Sequence, residues 1–151
     1  MGTPTWKRLV PDSLVKVPEQ SGMAWTPVLD YLTPGRLYMI RVSWNDPMQP
    51  QTWTPDGGTS CTADGDPGLT RAGTPFLVGA PIGALIARVG GSTADATGDA
   101  ERSLLFAAGR YCVFQAPEPP KAGALFLGVN DVPANAVKLS GNLLVEVYEA
   151  R

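Results

Sequence analysis

The chain has 151 residues, 44% of them hydrophobic and 17% charged, which suits one domain with one core and is short for two. Twelve basic residues stand against 14 acidic ones with no block of like sign, so the basic stripe of a nucleic-acid binder and the polybasic signal of a membrane-surface protein are both missing. Histidine is absent, which removes Ser-His-Asp and Cys-His catalysis and histidine-ligated zinc, and leaves any enzyme with carboxylates, Lys or Tyr alone; the reading is of a non-enzyme.

Gly (17) and Pro (15) make up about a fifth of the chain. Both interrupt helices, so the composition predicts short strands joined by many turns. Residues 1–11 read as a loosely ordered lead-in to a single domain spanning 1–151. A short strand is predicted within 12–18 and a second over Trp25–Tyr31. Pro34-Gly35 has the spelling of a type II turn. The clearest strand follows at Leu37–Trp44, where Tyr38, Ile40, Val42 and Trp44 form the better core face.

From Asn45 to Pro75 the chain is mostly Pro, Gly, Asp, Thr and Ser, a long connection of the kind that carries function. Trp53 within it predicts that part of the segment packs down. Gly83–Gly90 reads as a strand, Ser92–Asp99 as a polar turn, and Leu104–Phe106 with Tyr111–Phe114 as two strands around Gly109. Residues 117–121 read as a rigid surface loop, 124–131 as a buried strand ending in the polar pair Asn130-Asp131, and 143–148 as a closing strand. Eight or nine strands and no helix predict an all-β sandwich or jelly roll. No apolar run approaches the ~18 residues of a membrane helix, and no signal-peptide core precedes the domain. The expected location is the cytosol, or outside the cell by a route without a cleaved signal. Cys61 and Cys112 have no metal-type spacing; free thiols and a disulfide both remain open.

Three segments together resemble the PA-I type galactophilic lectins, a family of bacterial calcium-dependent galactose-binding β-sandwiches. They are Trp44 with Trp53 and Pro55; Gly79-Ala80-Pro81-Ile82-Gly83-Ala84-Leu85-Ile86; and Asn130-Asp131-Val132-Pro133 followed by Ser140-Gly141. Their order and spacing agree over roughly residues 12–149. The resemblance implies a calcium ion between the loop after Trp44 and the Asn130–Pro133 loop, bridging protein to sugar hydroxyls. It places Asp131 as the bridging ligand, Asn135 as a carbonyl donor and Pro47 as a second backbone donor. It also places Asp64 near the sugar, and family-like oligomers would add avidity. The chain departs from the pattern at Lys138 and Leu139, which stand where the family has asparagine ligands, and at Pro67, which stands where it has a glutamine. Lys138 then pairs with Asp131 in place of the metal, or is simply solvated.

The expectation is thus a carbohydrate-binding module for a hydroxyl-rich glycan, with Asp131, Asn135, Asp64, Trp53 and Lys138 at the ligand and Asp131, Asn135 and Pro47 at any calcium. The alternative is a structural or adaptor sandwich whose sugar site has decayed and whose partner is a protein. Asp56, Asp64 and Asp66 are a weaker second calcium cluster, competing with plain turns. Trp25, Trp44 and Trp53 either stack on a sugar or pack in the core. The carboxylate pairs Asp99/Glu101 and Glu146/Glu149 read as solvated faces.

Overall fold

The computed structural model describes residues 5–9, 14–43, 50–91 and 101–150. Among these are ten strands and one short helix. The strands are β1 (Trp6–Arg8), β2 (Val15–Val17), β3 (Trp25–Leu29), β4 (Leu37–Val42), β5 (Asp64–Asp66), β6 (Ile82–Gly90), β7 (Ser103–Ala107), β8 (Tyr111–Gln115), β9 (Leu125–Val129) and β10 (Leu143–Ala150), with α1 (Pro133–Ala136) between the last two. They form two five-stranded sheets. One runs β1-β10-β4-β8, with β2 also on β10; the other runs β3-β9-β6-β5, with β7 also on β6. Every strand pair is antiparallel. The all-β sandwich is therefore the fold.

Alternation explains the core. Along β4, Tyr38, Ile40 and Val42 point inward and are buried, and along β10 so do Leu143, Val145 and Val147. They meet Leu85, Ala87, Val89, Leu125, Leu127 and Val129 of the opposite sheet in one cluster. Met39 departs from the simple pattern: it lies on the outer face of β4, yet it is 7% exposed. Strand β6 is buried along its whole length. Its outer residues are covered, with Trp25, Ile86 and Phe126 packed under Phe76 and Leu77. There Arg88 lies fully buried, its guanidinium 4.8 Å from the Trp25 ring and 4.5 Å from that of Phe126, close enough for the ring faces to attract the cation.

Three sequence expectations change. The lead-in contains β1, whose Trp6, Lys7 and Arg8 pair with Ala150, Glu149 and Tyr148. The segment 133–136 is a helical turn begun by Pro133, whose missing N–H costs nothing at a helix start. Strands β7 and β8 flank the Gly109 turn but are not partners: β7 pairs with β6 and β8 with β4, so the chain crosses between sheets there. Trp44 and the turn expected at Ser92–Asp99 lie outside the described residues. Both Cys61 and Cys112 are free thiols, each partly buried.

Candidate functional site

The Asn130-Asp131 pair at the end of β9 is turned into the protein. The Asn130 amide donates to the carbonyls of Leu77 (3.0 Å), Ala80 (3.0 Å) and Pro81 (3.2 Å), and its side-chain oxygen accepts from the Leu77 N–H at 2.9 Å. It replaces the missing partners of an irregular loop, as a buried backbone requires. Asp131 is 1% exposed. Its carboxylate accepts two parallel bonds from Arg71, Nε to Oδ1 at 2.9 Å and Nη2 to Oδ2 at 3.0 Å. Oδ1 also accepts the Val132 N–H at 2.7 Å. Arg71 Nη2 reaches the Asp56 carbonyl at 2.6 Å, and Asn135 Nδ2 donates to Asp56 Oδ2 at 3.0 Å. Asp131, Arg71, Asp56 and Asn135 thus form one knot tying the loops after Trp53 and after β9. The bonds from Asp131 hold the Arg71 guanidinium above its ordinary pKa, against the opposing effect of burial.

The described members of the expected calcium set, Asp131 and Asn135, already hold protein partners. Calcium takes six to eight oxygens; here both oxygens of Asp131 accept from a guanidinium, Asn135 Nδ2 donates to Asp56, and the Asn135 backbone carbonyl accepts the Lys138 N–H at 3.0 Å. Leu139 is buried and Lys138 is exposed. The cation beside Asp131 is Arg71, not Lys138. Among the described residues, no group of three or more Asp, Glu, Cys or His is placed to hold a metal. The Asp56, Asp64 and Asp66 trio is dispersed: Asp56 belongs to the knot, Asp64 pairs with Arg110, and Asp66 accepts the Gly68 N–H at 2.9 Å in its own turn. Pro47 lies outside the described residues.

Trp53 is 1% exposed and donates its indole N–H to the Gly83 carbonyl at 2.7 Å. Its backbone is bridged to Cys61. The ring is a core anchor and offers no face to a ligand. Gly83 is required beneath it: φ is +89°, and a Cβ there would lie 2.7 Å from the Cys61 sulfur.

Asp64 is the candidate that faces outward. Its Oδ2 accepts from Arg110 Nε at 2.7 Å, and Oδ1 accepts the Arg110 backbone N–H at 3.2 Å. Both side chains stay about half exposed, at 51% and 52%. They border a cleft of about 960 Å³ whose described lining also includes Arg41, Ser43, Gly109, Tyr111 and Glu146. Arg41 donates through Nε (2.9 Å) and Nη2 (2.6 Å) to one oxygen of Glu146, which holds the guanidinium above its ordinary pKa. The Tyr111 side of the cleft is open, that residue being 60% exposed. Elements from both sheets build this wall: β5 supplies Asp64, the crossing turn Gly109 and Arg110, β8 Tyr111, β4 Arg41 and β10 Glu146.

Arg71, Arg110, Arg41 and Tyr111 carry no motif that would mark them beforehand. Arg71 alone leaves a trace, as the one basic residue in the acidic segment 45–75. No family model matches the chain, and no curated protein does.

Proposed function

We propose that this chain is a saccharide-binding β-sandwich that works without calcium, and that its ligand occupies the cleft around Asp64 rather than the Asp131 loop. One observation carries the reading: a half-exposed carboxylate–guanidinium pair and an exposed tyrosine share a cleft of about 960 Å³, within the size range of small-ligand sites. Carboxylates accept from sugar hydroxyls, guanidinium N–H groups donate to them, and an aromatic ring covers the apolar face of a pyranose. The two Arg–carboxylate pairs, Arg110–Asp64 and Arg41–Glu146, are together neutral, which suits a neutral, hydroxyl-rich ligand better than an ionic one. The resemblance to galactophilic lectins supports a saccharide through its outline, while the knot at Asp131 supports a different place and mode of binding.

The test is a glycan array followed by calorimetry, run in EDTA with the unaltered protein and with Tyr111→Ala and Asp64→Ala. The expected result is binding in EDTA that both substitutions weaken. Binding only with calcium, or binding indifferent to both substitutions, overturns the proposal. The adaptor reading is favoured by a separate observation, that the Asp131 carboxylate, the Asn135 Nδ2 and the Trp53 indole N–H are all bonded inside the protein. An array without hits, together with a protein partner captured through the same cleft, would establish it instead.

A further inference from the structure

Strand β8 ends its sheet, and among the described residues no strand pairs with its far side. Its ladder to β4 runs without a bulge, from Leu37↔Gln115 to Arg41↔Tyr111. The backbone bonds that continue this ladder are Val42 N–H to the Arg110 carbonyl and Ala116 N–H to the Arg36 carbonyl, each at 2.9 Å. Antiparallel alternation then aims the N–H and C=O groups of Arg110, Cys112, Phe114 and Ala116 at β4. Those of Tyr111, Val113 and Gln115 point away from the sheet. The strand reads Tyr-Cys-Val-Phe-Gln, rich in strand-forming residues and without charge or proline. Native edge strands are ordinarily blunted by Lys, Pro, a bulge or a covering loop. Here Val113 is 42% and Tyr111 60% exposed, and Leu37 beside them on β4 is 45% exposed.

We infer that β8 is a docking edge for a second copy of this chain, joining two molecules antiparallel about a two-fold axis at Val113. An isologous contact sets each residue near its axis against itself or its mirror partner, so any charge there would meet its own kind. Strand β8 has none, and the nearest, Arg110, is already neutralised by Asp64 at 2.7 Å. In this register Val113 faces Val113 and Tyr111 faces Gln115, a phenol opposite an amide. About six new backbone hydrogen bonds form. The outer stripe of Leu37, Val113 and Tyr111 continues across the axis, so exposed apolar surface is covered as the ladder extends. The inference rests on the β8 edge and not on the identity of the cleft's ligand, although Tyr111 belongs to both surfaces.

Sedimentation equilibrium on the unaltered chain and on Val113→Lys tests it, with circular dichroism confirming that the variant is folded. The unaltered chain is expected to be a dimer. The lysine, meeting its copy at the axis, raises the dissociation constant by about tenfold or more. Cross-linking under mild oxidation then fixes the register: Val113→Cys forms an intermolecular disulfide, because paired Cα atoms in this position lie about 5.5 Å apart. Tyr111→Cys, facing Gln115, does not. A monomer at all concentrations, a dimer unaffected by Val113→Lys, or equal cross-linking at both positions overturns the inference. The cysteine variants keep the test decisive should the lysine variant fail to fold.

Discussion

Arg71 and Asp131, sixty residues apart in the chain, meet through two parallel N–H···O bonds of 2.9 and 3.0 Å, with the carboxylate 1% exposed. The pair joins the segment between β5 and β6 to the loop that follows β9. A bidentate guanidinium gives direction as well as charge. Its position matters because removing one member leaves the other charge buried.

Arg71→Ala is therefore expected to lower stability by about 3–5 kcal/mol, the usual cost of orphaning a buried ion. Arg71→Lys keeps the charge but loses the fork and falls between the two. Urea unfolding of the three proteins gives the order. A value for Arg71→Ala within error of the unaltered protein would mean that the knot is not structural.

Both carboxylate oxygens of Asp131 already accept from Arg71. The unfolding midpoint is expected to be the same in EDTA and in millimolar calcium. A calcium-dependent rise would restore the metal-bridged mode that the lectin resemblance implies.

Gly83→Ala is expected to destabilise by more than about 1 kcal/mol, since Ala resists a φ of +89° and its Cβ meets the Cys61 sulfur. The substitution also displaces the carbonyl that receives the Trp53 indole N–H. A red shift in tryptophan emission should accompany the loss of stability.

Burial raises the pKa of both thiols; for Cys61 the nearby Asp66 adds to this, while the Trp53 side chain opposes it. The unfolded chain, with thiols near about 8.5, therefore deprotonates first. Stability from this source is intact at neutral pH. It falls as pH climbs past the unfolded value and through the raised folded ones. Alkylation at pH 8 should be slow in the folded protein and fast in denaturant. Equal rates would show the thiols to be accessible.

In the cleft, Arg41→Ala separates binding from folding. Its side chain is 44% exposed, so its loss should change stability by less than about 1 kcal/mol. Saccharide affinity measured by calorimetry should fall several-fold. A stability loss equal to that of Arg71→Ala would make Arg41 a structural residue instead.

Strands with a strong alternating pattern were legible in the sequence: Tyr38, Ile40 and Val42 are the core face of β4, and Leu143, Val145 and Val147 that of β10. The Trp53 segment does pack down. What was hidden depended on pairing across long separations. Three-residue β1 has no period of its own and exists because β10 offers it an edge. The crossing at Gly109 looks like a hairpin turn, because local spelling does not say which sheet each flank joins. Asp131 and Asn135 stood out as residues, but their protein partners, Arg71 and Asp56, did not, since these lie far away in a segment of no regular pattern. Asp64 stands in the open cleft, but Arg110 and Tyr111 beside it are ordinary strand-end residues until the fold collects them.

The central strand of the first sheet is made after the three strands that pair with it. Strand β10 pairs with β1, β2 and β4 at once, so that sheet has no middle until residues 143–150 have left the ribosome. The other sheet is complete in sequence at Val129. During synthesis the β3-β9-β6 layer can assemble while β4 and β8 wait as a two-stranded ribbon with an uncovered inner face. Closure of the first sheet by β10 is non-local and is expected to be the slow step of folding. Nascent chains paused after residue 129 should be the form most in need of a chaperone.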